Sequence, residues 1–122
     1  MKNKKNIKQS ILDSIEFARQ ELKYVLVSDE WGSDSRKCAC ALGCVIAKDN
    51  PDNLFSDGDF CYQKIQTILG VDEDWVGSFT EGFDGNGYSE GSKVPEAWDL
   101  GREIAKETKP IEYHKWDGEY HG

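Results

Sequence analysis

The chain has 122 residues, four cysteines and a formal net charge of −8. That length suits one domain spanning 1–122, able to bury roughly two-thirds of its unfolded surface without metals or disulfides. No apolar stretch reaches the roughly 20 residues of a membrane helix, and no apolar h-region follows the lysine-rich start, so the expectation is a soluble, cytoplasmic protein with reduced thiols and no membrane partner. The charge is uneven: residues 28–99 carry a balance of −10, against +3 for residues 1–27. An acidic body of this kind disfavours direct nucleic-acid binding and suits a basic protein partner, or plain solubility.

Ile7, Ile11, Ile15, Ala18, Leu22 and Val25 recur at spacings of four and three, which predicts an amphipathic first helix across residues 1–27, from about Lys5 to Val27. Its close, Tyr24-Val25-Leu26-Val27, has β propensity and is able to fray or leave as a short strand. A polar loop anchored by Trp31 leads to Cys38-Ala39-Cys40-Ala41-Leu42-Gly43-Cys44-Val45-Ile46-Ala47. This run has no charged side chain and is bracketed by Arg36-Lys37 and Lys48-Asp49, so it reads as a buried central helix that ends before Pro51. Gly43 inside that helix costs about 1 kcal/mol relative to alanine, and a neighbouring helix crossing close to its backbone explains it.

Asp57 or Asp59 caps a third helix from Phe60 to Leu69, stopped by Gly70. Asp72 caps a fourth, with Glu73 and Asp74 in the first turn, where the helix dipole favours acids, and Trp75, Val76, Phe79 and Phe83 on its apolar side. Gly82, Gly85 and Gly87 break the chain there, and Pro95 opens a fifth helix that ends before Pro110. The expected architecture is therefore all-α: a compact four- to five-helix domain, with residues 38–109 as a helical core around the cysteine-rich helix. Residues 110–122 form an aromatic tail whose Tyr113, Trp116 and Tyr120 point to docking on a partner or a second copy of the chain.

The cysteines permit a metal reading. Cys40 and Cys44 share a helix face, Cys61 supplies a third thiol, and His114 or His121 a fourth ligand. No second closely spaced pair exists, however, and packing of small apolar side chains accounts for the same residues. Cys38 follows two cations at a helix start, as a nucleophile would, but both histidines lie in the tail. The glycine-rich stretch from Gly82 to Gly91 lacks the spacing of a phosphate loop, and a calcium loop would need glycine at Ser89 and glutamate at Pro95. No cofactor is called for.

The Cys40-Ala41-Leu42-Gly43 step, together with Phe79-Thr80-Glu81-Gly82-Phe83-Asp84-Gly85 and the following Glu96-Ala97-Trp98-Asp99-Leu100-Gly101-Arg102, resembles small proteins of phages and bacterial mobile elements over about residues 38–106. The resemblance implies an accessory protein and supplies no catalytic residues. The expected function is a non-enzymatic acidic binding protein that inhibits a basic host protein through Asp49, Asp52, Asp57, Asp59, Asp72, Glu73 and Asp74 at three successive helix ends. The alternative is a small-ligand or metal module built on Cys40, Cys44 and Cys61 or on the Gly82–Gly91 loop.

Overall fold

The computed structural model describes residues 4–33, 36–49 and 58–115. Among them lie five α-helices: α1 (Lys4–Glu21), α2 (Ala41–Asp49), α3 (Gly58–Leu69), α4 (Glu73–Asp84) and α5 (Pro95–Thr108). There are also four short strands: β1 (Val25–Ser28), β2 (Gly32–Ser33), β3 (Cys38–Ala39) and β4 (Ile111–Glu112). The strands form one mixed sheet in the order β2-β3-β1-β4. β1 runs parallel to β3, with Val25 opposite Cys38, and parallel to β4, with Val27 opposite Ile111; β2 closes antiparallel on β3. The all-α expectation is thereby overturned: the domain is α/β.

The correction has a local cause at the end of α1. Ile7, Ile11, Ile15 and Ala18 are buried as their spacing requires, but the helix stops at Glu21. Lys23 turns into the left-handed region at φ 60, and the Tyr24 amide donates back to the Ala18 carbonyl at 3.0 Å. The residues beyond, Val25 to Val27, are β-branched or leucine and enter the sheet as its central strand. The predicted cysteine helix is shortened in the same way. Cys38 and Ala39 form β3, and α2 begins only at Ala41.

The expectation of a buried central helix is met, since Ala41 through Ala47 are all buried. α1 and α3 pack on α2. Lys8 of α1 reaches Glu103 and Glu107 of α5 at 3.0 and 3.1 Å. The caps foreseen for α4 and α5 are also present. Asp72 accepts from the Trp75 amide at 2.8 Å, Gly85 closes α4 with φ 78, and Pro95 opens α5. Gly82 does not end its helix. It lies inside α4 where α5 crosses: a Cβ there would fall 2.0 Å from the Trp98 carbonyl oxygen, and one on Gly101 would fall 2.2 Å from that of Phe79. The two helices touch backbone to backbone. Behind the sheet, Val27 and Cys38 form a separate small apolar cluster with Val25 and Tyr113 packed against it.

Candidate functional site

The sharp turn after β1 builds one side of a hollow that reaches into the core. Asp29 takes a left-handed conformation at φ 72, which aspartate tolerates better than most residues. Its amide donates to Asp84 Oδ1 at 2.8 Å, tying the turn to the last residue of α4. The Trp31 amide donates to the Glu30 carboxylate at 2.9 Å, and the Trp31 carbonyl accepts from the Cys40 amide, also at 2.9 Å. The turn is thus held at both ends by backbone groups.

The result is a cavity of about 150 Å³. Buried Cys40, Leu42, Phe79 and Phe83 line its interior, half-buried Trp31 and Thr80 stand beside them, and exposed Asp29 and Glu30 and half-buried Asp84 supply the carboxylates. None of the lining residues is basic. Burial raises the Asp84 carboxyl to about 6, with the neighbouring Asp29 and Glu30 pushing the same way, against the bond from the Asp29 amide and the charge of Arg102. Among the described residues no hydrogen bond reaches its second oxygen, Oδ2.

Cys40 is the N-cap residue of α2: its Sγ accepts from the Gly43 amide at 3.3 Å. A thiol at a helix N-terminus is often acidic, but burial dominates here and pushes Cys40 up to about 12. Cys44, one turn on, is raised further for the same reason. Cys38 lies in β3 rather than at a helix start, fully buried, with its thiol also raised. These environments stabilise thiols over thiolates. Among the described residues no three histidine, cysteine or acidic side chains are grouped as metal ligands would be, so Cys40, Cys44 and Cys61 are not brought together with a further donor. All four cysteines are buried, and none is in a disulfide.

A second hollow, an open groove of about 420 Å³, lies on the other flank of α4. Tyr62, Glu73, Asp74, Glu81 and Lys93 line it, and from the Gly82–Gly91 loop only Gly91 does. Trp31 of the cavity and Tyr62 of the groove meet edge to face, with ring centroids 5.6 Å apart. Burial raises the Tyr62 hydroxyl, and Glu73, Glu81 and Asp84 add to the shift, which places carboxylates from both hollows in its field. One face of the molecule therefore carries two aromatic rings in contact, flanked by Asp29, Glu30 and Asp84 on one side and Glu73, Asp74 and Glu81 on the other. Lys93, with an exposed side chain, stands 3.6 Å from Asp74.

Among the described residues, this face shares Glu73 and Asp74 with the acidic set expected from sequence. Asp72 caps α4 beside them. Asp49 lies elsewhere, 3.8 Å from Lys64 and against a different hollow with Ser10 and Asp13. Asp52, Asp57 and the side chain of Asp59 fall outside the described residues, as do Trp116, Tyr120 and His121. Tyr113 is engaged within the chain, packed on Val27 and Cys38 with the Arg36 guanidinium 4.7 Å above its ring. Asp29, Glu30, Trp31, Tyr62, Glu81 and Asp84 were missed. Their signal in the sequence is a tryptophan inside an acidic loop, together with an aspartate at the end of a helix that lies 55 residues beyond Asp29 of that loop.

No helix among the described residues is long and apolar enough to cross a membrane. Set against protein-family models, curated proteins and solved structures, the chain finds no match.

Proposed function

We propose that this chain is a non-enzymatic, cytoplasmic binding protein that docks a basic protein partner on the Trp31–Tyr62 face. One observation carries the reading: six carboxylates from two hollows surround a pair of touching, partly exposed aromatic rings. Aromatic residues anchor interfaces because they bring large rigid area, and a rim of one charge steers the oppositely charged partner. The buried, weakly acidic thiols favour binding over nucleophilic catalysis. In its concrete form, the protein is an accessory factor of a phage or mobile element that occupies the nucleic-acid-binding surface of a basic host protein.

The test compares wild type with Glu30→Lys, Glu73→Lys and Glu81→Lys combined, three exposed acids on one face. Each would be used to capture partners from host lysate at roughly 0.1 M and 1 M salt, where the screening length falls from about 10 to 3 Å. Wild type should retain a basic protein at low salt that is lost at high salt, and the reversed variant should not retain it at either. Identical captured sets for the two proteins would overturn the reading.

A further inference from the structure

We propose that the cavity between Trp31 and Asp84 is the seat for one arginine side chain of the partner. The inference rests on the binding function proposed above and gives its anchor. Size comes first. At about 150 Å³ the space matches a core cavity that takes up one benzene ring, and falls well short of the roughly 300 Å³ at which pockets for drug-sized ligands begin. It admits the end of one side chain.

Chemistry decides which side chain. The interior is aromatic and aliphatic, through Leu42, Phe79 and Phe83, with the Trp31 ring beside them. The mouth carries acids and the lining has no cation. A purely apolar occupant would leave those carboxylates dehydrated without a partner. An anion is repelled. A lysine ammonium, compact and strongly hydrated, loses most on entering an aromatic slot. A guanidinium is planar and weakly hydrated, stacks on an indole face, and offers paired N–H donors to a carboxylate. Asp84 lines the space and is the acid best suited to receive them: the Asp29 amide fixes Oδ1, no hydrogen bond to Oδ2 is found among the described residues, and Arg102 acts on the carboxylate through its charge without an ion pair among those residues. The burial that disfavours the Asp84 carboxylate in the free protein becomes, in the complex, the dry setting that strengthens the ion pair.

The probe is N-acetyl-arginine methylamide, titrated into isotopically labelled protein with the Trp31 indole N–H and the Thr80 and Asp84 amides followed by NMR. Saturable shifts centred on these groups are expected. The citrulline counterpart, equal in shape but uncharged, should give none at the same concentrations, and the lysine counterpart should bind more weakly. Two variants act by different routes: Asp84→Asn removes the charge, and Thr80→Met fills the space from its wall. Each should weaken arginine binding at least tenfold while signals away from the cavity stay in place. Absence of saturation, shifts centred elsewhere, or equal binding of citrulline or lysine would overturn the inference. A captured partner that depends on Glu73 and Glu81 but ignores both cavity variants would also overturn it, and would leave the binding function standing. Arginine binding with no partner captured would do the reverse.

Discussion

Asp84 is where stability and binding pull in opposite directions. Its carboxyl titrates at about 6 in the folded protein, against 3.8 for a free aspartate. An acid whose pKa is raised by folding stabilises the fold when protonated. That contribution is complete below about pH 4 and lost as pH rises through about 6. Asp84→Asn keeps the oxygen that accepts from the Asp29 amide and removes the charge. The variant should therefore match or exceed wild type in urea midpoint at about pH 8, with the gap closing towards pH 4. A variant markedly less stable at pH 8 would contradict this. Arginine binding should move the other way, weakening in wild type as pH falls through about 6, since the groups facing Asp84 are Asp29 and Glu30 from the turn, Arg102 from α5 and the neutral Cys40 thiol from α2. The thiols give a second prediction at this scale. Cys40, Cys44 and Cys61 should react slowly with a thiol reagent in the native protein and rapidly in denaturant, because all three are buried and burial also disfavours the thiolate at Cys40 and Cys44. Rapid native labelling of all three would contradict the structure.

The contact between α4 and α5 depends on two positions without side chains. At Gly82 and Gly101 a methyl group would meet backbone atoms of the opposite helix at 2.0 and 2.2 Å, and backbone has no rotamer by which to give way. Gly82→Ala or Gly101→Ala should force the helices apart and cost about 3 kcal/mol or more, at the upper end of overpacking, read as a drop in melting temperature. The double substitution should cost less than the sum, because the first already opens the crossing. Leu42→Ala, in the middle of the core, should cost about 2–5 kcal/mol through the cavity it leaves. What the sequence revealed at this scale follows from length. α3, α4 and α5 run 12 to 14 residues, long enough for their apolar period to show, and they lie close to where it put them, although α3 starts at Gly58 rather than Phe60 and α4 runs past Gly82 to Asp84. β2, β3 and β4 are two residues each, too short to show any alternation. β1 was half legible: Tyr24-Val25-Leu26-Val27 shows its β propensity, but Leu22 and Val25 also prolong the helical spacing of α1 past the point where Lys23 breaks it. The candidate face was less legible still, since a cavity is made by tertiary contact between a turn and a helix end that are distant in sequence.

Across the whole molecule, the acidic excess has a sidedness that its total does not convey. Lys8 and Arg19 engage α5, and Arg36 and Lys37 lie over the Tyr113 and Tyr24 rings, whereas Lys93 lines the acidic groove and the charge of Arg102 acts on Asp84. The sheet shows a comparable division, because β1 is bordered on one side by a strand from nearby in the sequence and on the other by β4 from beyond α5. Truncation after Lys109 should uncover Val27 and Cys38 without removing any of the five α-helices. Cys38 should then label at least tenfold faster while the helical circular dichroism is largely kept. Unchanged labelling would mean that β4 and Tyr113 contribute no cover. The order of synthesis gives the same pairing a further meaning. During translation α1 and β1 emerge well before β4, so the row of backbone donors and acceptors that faces Ile111 and Glu112 stays open until the chain beyond α5 has been made. A nascent or prematurely ended chain therefore displays an unpaired parallel edge next to a thiol that the finished protein hides. Closure of this edge waits for β4, so the open row of backbone groups on β1 marks a chain in which β4 has not yet docked.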